Sequence, residues 1–251
     1  MKFKFASFLL LSLSIICSCG KIYVPPSGSS IIKFTSTMYD SLGTWNNQGV
    51  PNYLVKPSDT INTAMMNFIT STLPEYQNLT KSHPDLFTSS SNPNIDITSN
   101  TDVYITFVYE GSGYLNTIAF YTYPTNNPPT SVSAITNITY IFPNASEPNS
   151  GGNLLPGTKV KIGTFGPGTS IGFVLMQNAF NPLTSMVNHG AVHFCSADAL
   201  NPENDPNLKR HAVLLNFQGK TLIGFEDTDR AIGGSDNDFN DVIIYATQVP
   251  H

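Results

Sequence analysis

The sequence predicts a mainly β protein, a single β-sandwich or jelly-roll-like domain with one short helix near the N-terminal end. Three observations carry this. About nine short segments are rich in β-branched and aromatic residues; Gly and Pro punctuate nearly every gap between them; a single stretch has helical spacing of its apolar residues. The chain has 251 residues, of which 12% are charged. Average chains carry about 25% charged residues, so polarity here comes from elsewhere, and Asn alone supplies 25 positions. With 11% aromatics the chain is long and apolar enough to build a core rather than stay disordered. A formal net charge of −5 argues against nucleic acid as a partner.

The first twenty residues, MKFKFASFLLLSLSIICSCG, have a basic start at Lys2 and Lys4 and an apolar run too short for a comfortable membrane span. That is the layout of a secretory leader. Ile16-Cys17-Ser18-Cys19 resembles a bacterial lipobox, with small Ser18 before the cysteine. Residues 1–18 then form the leader, Cys19 carries the lipid, and residues 19–30, with Pro25, Pro26 and Gly28, form a tether. An ordinary secretory leader is the alternative. The lipobox implies a membrane partner through the N-terminal lipid and a place in the bacterial cell envelope as an outer-membrane lipoprotein. Gly20 and Lys21 follow the cysteine without an early acid, which leaves the surface and periplasmic faces both open. Cleavage before Cys19 leaves Cys195 as the one free thiol, so no intrachain disulfide is possible. Cys195 lies in an apolar run and reads as an inert buried thiol; a nucleophile paired with His193 is the sharper alternative.

Residues 31–251 make up the domain. Residues 31–56, with the sole tryptophan Trp45, read as an entry strand and loops. The helix lies between Pro57 and Pro74, with Ser58 or Asp59 as N-cap and Ile61, Met65, Phe68, Ile69 and Leu73 on one face. Strands follow at residues 103–109, 115–123, 135–142, 159–165, 170–177, 191–195, 211–217, 220–225 and 241–247. The first two are joined by Glu110-Gly-Ser-Gly-Tyr114, where Glu110 and Asn116 read as turn-stabilising residues, with binding of a ligand or cation as the alternative. His189, His193 and His211 fall on different segments with no zinc-ligand spacing.

Six of the 17 acids lie between Glu226 and Asp241, where Arg230 is the only base. The stretch carries −5, while the rest of the chain after Cys19 carries only −2. It is bracketed by two apolar strands and holds Gly233-Gly234, so strand, loop and strand fold both acid clusters to one end of the sheet. Clustered carboxylates repel one another unless neutralised. A hard cation with many oxygen ligands is the economical partner, and Ca²⁺ suits it. Asp236, Asp238 and Asn240 offer alternating oxygens; Asp227, Glu226 and Asp241 complete the candidate set. No His or Cys lies in the window, which disfavours Zn²⁺. An EF-hand is excluded, because counting from Asp236 its glycine position holds Asp241 and its terminal glutamate position holds Thr247. A metal-free acidic hairpin and a glycosidase carboxylate pair are the alternatives.

The string GFEDTDRAIGGSDNDFNDVIIYAT resembles the signature of the LruC-type domain of bacterial surface proteins, through Gly224, Phe225, Glu226, Asp227, Asp236, Asp238, Asn240, Asp241 and Val242. Residues 106–125, 141–146, 168–178 and 200–215 are similar in order. The resemblance implies an exported β-sandwich with a calcium site and no established catalysis. Asp229 and Arg230 depart from its small-residue loop, which opens the question of whether Arg230 pairs with a ligand carboxylate. The functional expectation is a lipid-anchored, non-enzymatic envelope protein with a Ca²⁺-binding acidic hairpin, serving adhesion or ligand binding toward a glycan or a surface protein. A carbohydrate-binding module, with Trp45 or tyrosines as its platform, and a glycoside-type hydrolase are the rivals.

Overall fold

The computed structural model describes residues 28–88 and 93–251. The leader, Cys19 and tether residues 19–27 lie outside the described residues.

Thirteen strands and two α-helices follow one another: β1 (Met38–Ser41), α1 (Thr63–Thr72), α2 (Leu79–Ser82), β2 (Ile95–Ile97), β3 (Thr101–Glu110), β4 (Thr117–Pro124), β5 (Asn137–Phe142), β6 (Lys159–Phe165), β7 (Thr169–Met176), β8 (Phe180–Asn181), β9 (Met186–Val187), β10 (His193–Cys195), β11 (Ala212–Phe217), β12 (Lys220–Phe225) and β13 (Val242–Pro250). They form a six-stranded sheet ordered β1-β5-β4-β7-β10, with β2 also on β7, and a five-stranded sheet ordered β11-β12-β13-β3-β6. The two sheets make a sandwich, as the sequence predicts. All nine expected strands are present, and β1 is the entry strand expected within residues 31–56; β2 and the short β8–β9 ladder are additional.

Alternation within strands explains the layering. On β3, Val103, Ile105 and Phe107 face the central core; on β13, Val242, Ile244 and Ala246 do the same. Ile118 and Phe120 of β4 and Ile171, Phe173 and Leu175 of β7 meet them from the other sheet. The outer faces are apolar as well. Ala119, Tyr121, Val174 and Met176 pack under Phe34 and the 179–200 segment, while Ile243, Tyr245 and Leu222 pack under Met65, Ile69 and Leu73 of α1. Sheets buried on both faces need nearly continuous apolar strands, which is why the strands read as runs.

One local expectation is corrected. The helix begins at Thr63, and its N-cap is Asn62, whose side chain accepts the Met65 N–H at 2.9 Å. Ser58 is not a cap, and Asp59 is held elsewhere: it accepts from Lys159 Nζ at 2.6 Å, Tyr245 Oη at 2.6 Å and Thr106 Oγ1 at 2.7 Å. No helix of the described residues is long and apolar enough to cross a membrane.

Candidate metal site

The acidic loop joins β12 and β13, neighbours at the centre of the five-stranded sheet. Their register ends at Phe225 opposite Val242, and the Asp241 N–H donates to the Phe225 carbonyl at 3.1 Å. Glu226 and Asp241 are therefore the first residues beyond the paired ends. Between them the loop is pinned by Phe239, which is fully buried against the α1 side and meets Phe87 edge-on at 5.1 Å. Asn237 and Phe239 sit at φ 61° and 59°, a left-handed backbone that is uncommon for a residue with a side chain. With Phe239 turned into the core, Asp238 and Asn240 on either side are also drawn under the surface. The strand before the Gly-Ser turn comes close: a Cβ on Gly111 would lie 2.6 Å from Asn240 Oδ1, so only glycine fits there.

Oxygens of Glu226, Asp236 and Asp238 lie within 4.8 Å of one another, close enough to share one metal ion. Among the described residues this is the one such group of three. Glu226 and Asp238 are each 2% exposed, and Glu226 Oε2 is buried with no hydrogen-bond partner. Burial, then repulsion from Asp236, Asp227 and Asp238, pushes the Glu226 carboxyl up to about 8. Burial raises Asp238 to about 6, against donation from the Tyr76 and Asn240 backbones. Asp241, buried beside Asp227 and Glu226, is pushed up to about 10. Backbone donors compensate Asp238 and Asp241 only in part, and Glu226 Oε2 has none.

The other expected ligands divide. Asp227 and Asp241 line the same cavity of about 300 Å³ as Asp236 and Asp238. Yet Asp227 Oδ2 accepts from Ser112 Oγ and from Asn116 Nδ2 (2.6 Å for the latter), and Asp241 Oδ2 accepts the Asp227 N–H at 2.8 Å. The Asp227 carboxylate ties the hairpin to the β3–β4 turn, while the Asp241 carboxylate braces the hairpin internally and the Asp241 carbonyl accepts the Gly111 and Ser112 N–H groups. Asn240 donates its side-chain N–H to the Leu73 carbonyl at 3.2 Å, and its Oδ1 faces Gly111 of the turn. Asp229 Oδ1 receives the Ala231 N–H and Ser29 Oγ, both near 3 Å, fastening the end of the tether to the loop. Arg230 forms no bridge to the three carboxylates. Its Nε donates to Asn237 Oδ1 at 2.6 Å, its Nη1 to the Arg210 carbonyl at 2.9 Å, and its plane lies over Phe239.

Several contributors carry no signal in the sequence. Tyr76, at φ 59°, donates its backbone N–H to Asp238 Oδ2 at 2.9 Å. Ser112 and Asn116 bind Asp227 from more than 110 positions away. His211 Nδ1 meets the Glu226 carbonyl at 2.9 Å, and its Nε2 meets Glu203 Oε1 at 2.6 Å, in a fully buried pair. The E-G-S-G-Y turn was the one visible hint. Glu110 within it accepts the Glu147 N–H at 3.0 Å.

The thiol alternative finds no geometry. Cys195 is wholly buried, which pushes its thiol well up, and its backbone is held by Asn201. His193 bonds Tyr39 Oη and the Ala191 carbonyl, both at 2.8 Å. Trp45, a candidate platform, donates Nε1 to the Ser185 carbonyl and packs against Tyr140.

A family model described as a domain of unknown function (DUF4114) matches residues 165–248, about a third of the chain. The matched stretch runs from the end of β6 into β13 and contains the whole acidic hairpin. No curated protein and no solved structure matches the chain.

Proposed function

We propose that this chain is a lipid-anchored, non-enzymatic protein of the bacterial envelope that binds Ca²⁺ in its acidic hairpin and presents a ligand-binding face there. The wider LruC-type resemblance belongs to the same proposal. Glu226, Asp236 and Asp238 hold the ion, with Asp227 and Asp241 on the cavity wall and water completing the shell. The observation that carries this is Glu226 itself: its Oε2 is buried without a hydrogen-bond partner, and its carboxylate offers an oxygen within 4.8 Å of two further carboxylates. An all-oxygen donor set without His or Cys favours a hard cation, and flexible loop geometry favours Ca²⁺ over Mg²⁺. The metal's role is structural, neutralising the loop end.

Titration calorimetry of the full chain tests the site. Ca²⁺ binds with measurable heat and raises the melting temperature, and Asp236→Asn with Glu226→Gln abolishes both. Absence of heat and of any thermal shift in millimolar Ca²⁺ sinks the site. Membrane fractionation tests the anchor: wild type sediments with membranes and Cys19→Ala is released. Membrane association that survives Cys19→Ala rejects lipidation at that residue.

A further inference from the structure

We infer that the cavity over the acidic hairpin recognises a neutral sugar, whose vicinal hydroxyls complete the Ca²⁺ shell while its ring lies against Tyr76. This rests on the calcium reading above and names the ligand of that site. The cavity, of about 300 Å³, is open to solvent and is lined by Asp236, Asp238, Tyr76 and Tyr114 among others. Its size suits one or two sugar rings rather than a folded partner. Ca²⁺ takes six to eight oxygens, and three clustered carboxylates do not fill that number. Two hydroxyls of one sugar ring, set at a fixed spacing, replace two waters without adding charge.

Charge selects against the rival ligand classes. Glu75, Asp227, Asp236, Asp238 and Asp241 face the cavity, with Glu226 beneath, and no lysine or arginine lines it. One Ca²⁺ offsets two negative charges, and the wall holds further acids with no base beside them, so a carboxylate-ended peptide or a phosphate gains no cationic partner there beyond the ion itself. A polyol meets no such penalty.

The tyrosines supply the second half. Tyr76 is 80% exposed and Tyr114 is 41% exposed, both at the mouth. Tyr76 is tied to the metal site through its own backbone: its N–H donates to Asp238 Oδ2, which holds the main chain carrying the ring beside that carboxylate. A flat aromatic face fixed beside a cation matches a sugar, which has an apolar C–H face and a hydroxylated edge.

The test uses the full chain loaded with Ca²⁺ and the methyl glycosides of mannose, galactose, glucose, fucose, arabinose and rhamnose, read by saturation-transfer NMR and calorimetry. At least one glycoside binds, binding disappears in EDTA, and Tyr76→Ala weakens it roughly tenfold, near the upper end of one aromatic contact. Alanine keeps the N–H that Asp238 accepts, so calcium heat persists in that variant. Calcium heat without binding of any of the six glycosides overturns this inference and leaves the metal reading intact. Sugar binding that survives EDTA, or that is unchanged in both Tyr76→Ala and Tyr114→Ala, also overturns it. So does preferential binding of inorganic phosphate or of a short peptide through its free C-terminus. Loss of calcium heat in wild type is a different result and removes the metal reading itself.

Discussion

Two carboxylates at opposite ends of the α1-covered face have opposite surroundings. Asp59 is partly exposed and surrounded by donors: Lys159, Tyr245 and Thr106 each give it a hydrogen bond of 2.6–2.7 Å. Burial alone would raise its carboxyl, but the three donors outweigh burial and hold it below its ordinary value of 3.8. Glu226 is more deeply buried, has acids for neighbours and keeps one oxygen without any donor. The first carboxylate is satisfied by the protein. The second is satisfied only from outside, by a proton or a cation. A buried acid without a donor is an incomplete structure, and the missing component is what the fold is built to accept.

The comparison breaks most visibly under substitution. Asp59→Ala strands a lysine, a tyrosine hydroxyl and a threonine hydroxyl and costs about 2–3 kcal/mol, a fall in melting temperature of roughly 5–10 °C. Calcium leaves that loss unchanged. Glu226→Gln has the opposite sign in chelator, stabilising by on the order of 1 kcal/mol, because a neutral amide replaces an acid held in an unfavourable place. In calcium it destabilises, since a ligand is lost. The pH profiles diverge for the same reason. Glu226 has a folded value of about 8 against an ordinary 4.5, so the folded state keeps a proton that the unfolded chain releases. The Glu226 contribution in chelator therefore falls as pH rises from 4.5 to about 8, with the raised Asp238 and Asp241 adding to the same downward limb, and Ca²⁺ flattens that slope. Asp59 is lowered, so its contribution is present above 3.8 and is lost as pH falls below it. Differential scanning fluorimetry from pH 3 to pH 9, with EDTA or Ca²⁺, measures both limbs. A wild type with equal slopes in EDTA and Ca²⁺, or a Glu226→Gln variant less stable than wild type in EDTA, removes the distinction.

Much of this was legible in the chain itself, and the failures have a common cause. The strands were visible because their side chains face two apolar layers, leaving runs such as VYITFVY in β3. β1 was legible only as an entry strand somewhere in residues 31–56, because MYDS has no alternating apolar face and its bounds are set by parallel pairing to β5, a partner about a hundred residues on. The hairpin end was legible, since strand, loop and strand brings Glu226 to Asp236 and Asp238 by local geometry alone. Which acids stay unpaired was not. Asp227 is taken up by Ser112 and Asn116, and Asp59 by groups 47 to 186 positions away, so the donors that decide each carboxylate's fate come from other strands. Asn62 won the helix cap from Asp59 by the same competition.

Glu203 stands between the two extremes and sharpens the contrast. It is 1% exposed; its Oε1 receives His211 and the Arg230 N–H (3.1 Å), and its Oε2 has no partner. His211 faces the Glu226 carbonyl with Nδ1, and a carbonyl only accepts, so Nδ1 carries a proton there. The pair thus grips the acidic loop at two points, the carbonyl of Glu226 and the amide of Arg230. Glu203→Gln retains the shape and an Oε1 for both donors, but removes the charge that faces His211 and places an amide N–H₂ in the buried position where Oε2 has no donor. The expected cost is about 1–2 kcal/mol, smaller than at Asp59 because no lysine is stranded. Unlike the Asp59 change, it also reaches the metal: with its clamp loosened, the hairpin binds Ca²⁺ roughly threefold more weakly, since outer contacts tune ligand geometry. Calorimetry on the folded variant separates the two effects. An unchanged calcium affinity with the stability loss intact means that Phe239 in its pocket, not the Glu203–His211 pair, orders the loop.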